Sequence, residues 1–179
     1  MRTVNKKMEW TVTWKDGRPL YSVLQPVNLW PAADAGTLEQ KGVINMQVHE
    51  CVSFILIQNE QILLEKRSKN KACDPNLIAI PGGHIEENES KGQALIREIK
   101  EELGVIPGTY NYLCSLYHPT TELQLIHYYV VSSWSGDISA LEADNVYWSY
   151  FSKNIVDTEV DKVAISEYLR LASSNVEMF

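Results

Sequence analysis

Just after Pro81-Gly82-Gly83, one stretch of chain carries both an apolar stripe and a set of carboxylates. From about Glu89 to Leu103 there is no proline, and Leu95, Ile99 and Leu103 recur at four-residue spacing, the repeat of one helix face. Gly104 follows, where a left-handed residue would end the helix. Glu98, Glu101 and Glu102 fall within five positions. Residues three and four apart are neighbours on a helix, so Glu98 meets both of the others. Each like-charged pair costs a few tenths of a kcal/mol in water, and more where partly buried. By angle, Glu102 borders the apolar stripe, so part of it is expected to be buried. A solvated acidic helix face is common, and the helix alone leaves that reading open. The context shifts the balance. Arg97 can pair with Glu101 four residues on. The two glycines upstream let the backbone approach a ligand closely. Glu89 adds a fourth acid near the helix start, where negative charge is favoured. A hard divalent cation, which takes carboxylates together with water and phosphate oxygens, offsets the repulsion better than one arginine.

The rest of the chain supplies a sheet for this helix. Residues 8–25 read as a hairpin: Met8, Trp10, Val12 and Trp14 alternate with polar residues, and Asp16-Gly17 is a tight-turn pair. Pro26 to Gly42 reads as an irregular connector. The run His49 to Gln58 is nearly continuous in apolar residues and suits a strand buried on both faces. Asn59-Glu60 is a turn, Ile62 to Arg67 pairs back, and Ser68 to Asn76 is a polar loop. Leu77 to Ile80 is a short extended piece that Pro81-Gly82-Gly83 is expected to break. Tyr110 to His118, Leu123 to Ser133 and Val146 to Phe151 are further strands, with a turn at Ser135-Gly136-Asp137. Trp148 and Tyr150 are expected in the core. Val160, Val163, Ala164, Tyr168 and Leu171 mark a last amphipathic helix. The order predicts an α/β fold, a sheet between helices. The expected division is an N-terminal hairpin and connector at 1–46, followed by a catalytic domain at 47–179.

The segment Gly83 to Val105 reads GHIEENESKGQALIREIKEELGV. It resembles the signature of the Nudix hydrolases, G-x5-E-x7-R-E-U-x-E-E-x-G-U with U a bulky aliphatic. Gly83, Glu89, Arg97, Glu98, Ile99, Glu101, Glu102, Gly104 and Val105 fill every specified position. A chance match is on the order of 10⁻⁷ from average residue usage. The resemblance implies an α/β/α sandwich with a mixed sheet, reaching from about residue 47 to 172, and hydrolysis of a phosphoanhydride bond. It implies Mg2+ or Mn2+ held by Glu98, Glu101 and Glu102, with the Gly83 carbonyl a further ligand. Arg97 would orient the carboxylates, and Glu89 would help position or deprotonate water, although the base varies across the family. Such a cation neutralises charge developing on the phosphate during in-line attack by water. Outside the signature, Arg67 and the Gly82-Gly83 backbone are expected at the substrate phosphates. Glu142 lies in the loop before Trp148, where the resemblance implies a late metal ligand or catalytic base. His84 reads as a residue bonded to the local backbone, His118 and His127 as partly buried, satisfied strand residues, and Tyr112, Tyr117 or Tyr128 as candidates to stack a base.

The net charge of −7 argues against a nucleic-acid polymer as partner, whereas a small phosphorylated substrate is compatible through a bound cation. No apolar run approaches the ~20 residues of a membrane span, and the N-terminus lacks a secretory pattern. Cys51, Cys73 and Cys114 form no C-x-x-C pair, as in a reducing cytoplasm. The Pro-Gly-Gly-His-Ile-Glu opening resembles the branch that converts nucleoside triphosphates to monophosphate and pyrophosphate. The extra hairpin is similar to that of ADP-ribose and nucleotide-sugar hydrolases, and Pro119, fifteen positions past Gly104, fits that branch, although Thr120 stands where it usually has glycine. Triphosphates are the favoured expectation. The hairpin is expected to mediate a homodimer through Trp10 and Trp14. Two other classes share the scaffold. A non-catalytic ligand-binding module would not need the complete acid set. A prenyl-diphosphate isomerase would need a catalytic cysteine with a separate histidine-rich metal site, and no such set accompanies Cys73 in the sequence.

Overall fold

The apolar run 49–58 becomes the C-terminal part of strand β3 (Gln40–Gln58), and its alternation sorts two cores. The structure is a computed structural model. It describes residues 3–15, 18–25, 40–71, 73–152 and 155–174, with side chains from Gln47 onward. The chain divides into a unit Thr3–Val48 and a second whose body is His49–Phe179. In the first, β1 (Thr3–Lys15) and β2 (Arg18–Gln25) form the expected antiparallel hairpin, with Trp14 opposite Pro19 and Lys15 opposite Arg18. The turn pair Asp16-Gly17, the connector 26–39 and the side chains of Trp10 and Trp14 lie outside the described residues. Gln40 to Gly42, expected in the connector, already belong to β3.

In the second unit, β3 turns back through Asn59-Glu60, both at positive φ (50° and 60°), into β4 (Gln61–Lys66). Two positive φ values are what a two-residue hairpin turn with the right twist demands. β4 also pairs with β5 (Ile78–Ala79) and, on its other edge, with β11 (Asn145–Tyr150). The extended piece does break at Pro81, since β5 ends at Ala79 and Ile80 and Pro81 lie in no strand, but the two glycines then enter a new strand that was not expected. Gly82–His84 forms β6, antiparallel to β3 with Val52 opposite Gly83. A Cβ on Gly82 would collide with the Val52 carbonyl, so only glycine permits this approach. β7 (Ile106–Pro107) pairs with β10 (Trp134–Ser135), and β8 (Tyr110–Pro119) with β9 (Leu123–Val131). Strand β10 thus occupies the start of the expected turn, and Gly136 follows at φ 99°.

Side chains of β3 point alternately to opposite faces. Phe54 and Leu56 meet Leu95, Ile99 and Leu103 of helix α1 (Lys91–Leu103). Cys51 and Ile55 meet Val160, Ala164 and Ile165 of helix α2 (Glu159–Ser173). The expected sheet between helices is therefore observed. Each fully buried leucine or isoleucine contributes about 1.5–3 kcal/mol. α1 begins at Lys91 rather than Glu89, because Ser90 and Gln93 form a capping box. Ser90 Oγ accepts from Gln93 N (3.3 Å) and Gln93 Oε1 accepts from Ser90 N (2.9 Å), satisfying two otherwise open amides. Gly104 ends the helix at φ 73°, as expected. Buried Asp161 of α2 accepts from Tyr128 OH (2.8 Å) and Ile80 N (3.2 Å), tying α2 to the sheet. Burial still holds its carboxyl above the ordinary range. Tyr128 is thus a core residue with its hydroxyl engaged. Trp148 is partly buried and stacks on Trp134. Tyr150 corrects the expectation: at the end of β11 it is 67% exposed. No helix among the described residues is long and apolar enough to cross a membrane.

The orientation of α1 gives a paired test. Ile99→Ala, at a fully buried position, is expected to destabilise by about 2–5 kcal/mol. Ile96→Ala, at a position 40% exposed, should remove much less. Urea unfolding of the two variants checks this; equal losses would contradict the helix orientation.

Candidate active site

The site grows from the side of α1 that borders its apolar stripe. Arg97 reaches back over the start of the helix and donates five hydrogen bonds. Nε and Nη2 grip Glu89 as a fork (2.9 and 2.8 Å). Nη1 bonds Glu98 Oε1 (2.7 Å) and Glu101 Oε2 (2.9 Å), the second being the pair expected from the four-residue spacing. Nη2 also bonds the His84 carbonyl on β6 (2.9 Å). Glu89 stands just before the N-cap, after Asn88 at φ 64°, so the chain turns back toward Arg97. It also accepts from Glu86 N (3.0 Å). The hydrogen bonds from Arg97 hold the Glu89 carboxyl below the ordinary value, and Glu89 first among the acids raises the guanidinium above its own.

The three glutamates divide. Glu98 and Glu102 are buried, while the Glu101 side chain is half exposed. The Glu98 carboxylate lies against Gly83 so closely that a Cβ there would collide with it. Burial pushes the Glu98 carboxyl above the ordinary range, against the pull of Arg97. Burial, then the charge of Glu65, pushes Glu102 well above it, against Lys71. Glu102 Oε2 is buried without a hydrogen-bond partner. Its Oε1 faces the Lys71 ammonium at 3.7 Å. Lys71 also binds Glu142 (2.7 Å). Burial opposes the Lys71 charge, but Glu142 and Glu102 outweigh it and hold its pKa above the ordinary value.

Gly82, Gly83, Arg67, Glu98, Glu101, Glu102 and Glu142 line one cavity of about 440 Å³, so most of the expected site residues converge. That volume suits a small ligand. Two expectations change. Glu89 is absent from the lining, and both its oxygens are engaged by Arg97; as placed it positions the arginine. Arg67 lines the cavity, yet Nη1 bonds Glu65 (2.8 Å), and Nε and Nη2 bond the Cys73 carbonyl (3.3 and 3.1 Å), so much of its guanidinium is committed within the protein.

Three features were not anticipated. Lys71 was one cation among several in a polar loop. Glu65, 1% exposed, is a charge inside an apolar strand, a signal legible in QILLEK. His84, expected to bond locally, instead meets Glu122 (Nε2 to Oε1, 2.7 Å), and His49 Nε2 approaches the other oxygen of Glu122 at 3.5 Å. The fold thus assembles a histidine-bearing set that the sequence did not reveal, because its members stand far apart in the chain. His118 bonds Asp74 (2.8 Å), as expected, whereas His127 is fully buried, bonding Ser115 through Nδ1 (2.5 Å) with Nε2 3.8 Å from Glu50 Oε1.

A sheet thus lies between two helices, with Glu98 of the first helix packed on Gly83 of β6. The family model described as the NUDIX domain matches residues 48–168, and the chain belongs to that family. It is similar to the 8-oxo-dGTP diphosphatase of Escherichia coli (strain K12), 28% identical over 54% of this chain and 75% of the relative. It is 30% identical to the CTP pyrophosphohydrolase of the same organism, over 58% of this chain and 76% of the relative. Among solved structures, the MutT NUDIX hydrolase from Burkholderia pseudomallei superposes with a TM-score of 0.61 at 23% identity, covering 68% of this chain and 98% of that one. This structural likeness speaks to the fold.

The raised carboxyls make a stability prediction for protein stripped of divalent ions. A carboxyl with a higher pKa folded than unfolded binds its proton more readily when folded. Its contribution to stability therefore rises as pH falls through the folded pKa and is complete below the ordinary value of 4.5. Glu102→Gln, neutral at every pH, should raise the unfolding midpoint near neutrality. The gap to wild type should close as pH falls toward 4.5. Chemical denaturation with a chelator checks this; a variant less stable than wild type at neutral pH would contradict the assignment.

Proposed function

We propose that this cavity binds a nucleoside triphosphate with Mg2+ or Mn2+ and hydrolyses it to nucleoside monophosphate and pyrophosphate. The observation that carries the reading is Glu102: a buried carboxylate with one unpartnered oxygen, beside a second buried carboxylate seated on a glycine. Hard oxygen donors with an unmet need for positive charge fit a divalent cation. Glu98, Glu102 and Glu101 would hold it, with the Gly83 carbonyl. When bound, the ion neutralises charge developing on the phosphate oxygens and makes water a better nucleophile.

The chain's own residues do the rest. Arg97 fixes Glu98 and Glu101 and locks them to β6 through the His84 carbonyl. Lys71 now supplies the positive charge between Glu102 and Glu142, and a phosphate oxygen is a natural second partner for it. Glu142 lines the cavity whereas Glu89 does not, which favours Glu142 as the group that takes the proton from attacking water. The triphosphate reading is supported by the two Escherichia coli relatives, whose names specify 8-oxo-dGTP and CTP and three-quarters of whose length is matched. The ADP-ribose pyrophosphatase of Methanocaldococcus jannaschii is 45% identical, but over only 32% of its length.

A panel of nucleoside triphosphates, nucleotide sugars and dinucleotides with Mg2+, scored for pyrophosphate and phosphate release, tests the proposal. Triphosphates should be cleaved with release of pyrophosphate. Preference for ADP-ribose or a nucleotide sugar would replace the substrate assignment, and no turnover on any member would overturn catalysis. Glu98→Gln and Glu102→Gln should each lower turnover at least about a hundredfold with the fold intact. Glu142→Gln should lower kcat more than KM; an unchanged kcat would remove its role as base.

A further inference from the structure

We propose that His49, His84 and Glu122 form a second metal site, selective for a zinc-like transition-metal ion and separate from the helix carboxylates. The register explains how the three meet. His84 of β6 lies opposite Cys51 of β3, so His49, two residues along the same face, is its diagonal neighbour. Glu122 comes in from the turn between β8 and β9, where Thr120 N donates to its carbonyl (2.9 Å) and its own amide donates to Thr120 Oγ1 (3.3 Å). The candidate ligand atoms all lie within 4.8 Å of one another.

The spacing and the chemistry suit an ion. Four-coordinate zinc with bonds of about 2.0–2.1 Å sets neighbouring ligand atoms roughly 3.3–3.5 Å apart. His49 Nε2 and Glu122 Oε2 stand 3.5 Å apart, already at that separation. His84 Nε2 and Glu122 Oε1 are in direct hydrogen bond at 2.7 Å. An ion held by Glu122 Oε2 and the two Nε2 atoms would take His84 Nε2 out of this bond. Gln124 Nε2 donates to Glu122 Oε1 (2.9 Å), the kind of outer bond that orients a ligating carboxylate. His49 Nδ1 is buried without a partner, so its ring depends on the Nε2 side for polar contact. Side-chain exposures of 14%, 37% and 21% for His49, His84 and Glu122 leave a path for an ion and a position for water. Two imidazole nitrogens with one carboxylate select Zn2+ and its neighbours, whereas Mg2+ prefers the all-oxygen set on α1. His84 lines the carboxylate cavity, whereas His49 and Glu122 do not, and its carbonyl also bonds Arg97, so the two sites adjoin through this residue. An ion here would pin β6 and the Thr120–Glu122 turn beside the cavity.

The test is calorimetric titration of metal-free full-length protein with Zn2+ in saturating Mg2+, repeated with Co2+ for its visible absorption. Wild type should take up one equivalent with a tetrahedral or five-coordinate Co2+ spectrum. His49→Gln, His84→Gln and Glu122→Gln, checked for fold by circular dichroism, should each weaken Zn2+ at least about tenfold. Glu98→Gln should leave Zn2+ affinity unchanged. The proposal is overturned if Zn2+ does not bind under Mg2+, if the three variants bind as wild type does, or if Glu98→Gln abolishes uptake. That last result would place the ion on α1.

Discussion

Arg97 is the constraint on which the active-site region depends. One planar cation meets Glu89, Glu98, Glu101 and the His84 carbonyl, so a single side chain joins the helix approach, two helix acids and β6. Lysine could not do the same, since its three donors radiate from one point and cannot span that planar array. The guanidinium keeps Glu98 turned toward Gly83, and Gly83 has no Cβ to push it away. Helix, arginine and glycine are therefore one device, and loss of any member displaces the others.

What made α1 legible is that its rules are local. The apolar stripe, the Arg97–Glu101 pair, the partial burial of Glu102 and the glycine cap all follow from 3.6-residue geometry, and the structure keeps them. The Ser90–Gln93 capping box was equally local, and the S-x-x-Q pattern would have moved the helix start from Glu89 to Lys91. The burial of β3 on both faces was legible too, because its apolar run from His49 to Gln58 is nearly continuous. The failures were of another kind. β6 exists because glycine backbone fits against Val52, which depends on a strand far upstream. Lys71 and Glu65 acquire meaning only when their loop and strand face α1. The His49–His84–Glu122 set has no spacing to read, because sheet register and a turn bring it together.

The site is built against stability. Glu98 and Glu102 are buried among like charges, and both carboxyls are driven above their ordinary range by that burial. In a sequence chosen for packing alone, Glu102 would be apolar, since it sits beside Leu103 and Ile99 at the edge of the core. Lys71 only partly relieves it, through one oxygen at 3.7 Å. The surrounding structure carries the load: the fully buried Leu95, Ile99 and Leu103 hold the helix against Phe54, Leu56 and Leu63, so the acids cannot escape by swinging outward.

That arrangement bears on why the proposed cation ligands lie on a rigid helix rather than on a loop. A loop could relax to hydrate its carboxylates, and the demand for positive charge would vanish. A helix packed on a sheet cannot relax, so the unsatisfied oxygen of Glu102 persists as a binding potential. The His49–His84–Glu122 group is built by opposite means: its acid comes from a turn, and its histidines from paired strands. Its groups already satisfy one another in part, through the bond between His84 and Glu122. An ion entering there must displace an existing contact, whereas one entering beside Glu102 relieves an unmet one. By this reasoning the two places differ not only in ligand type but also in how strongly the fold itself asks for a metal.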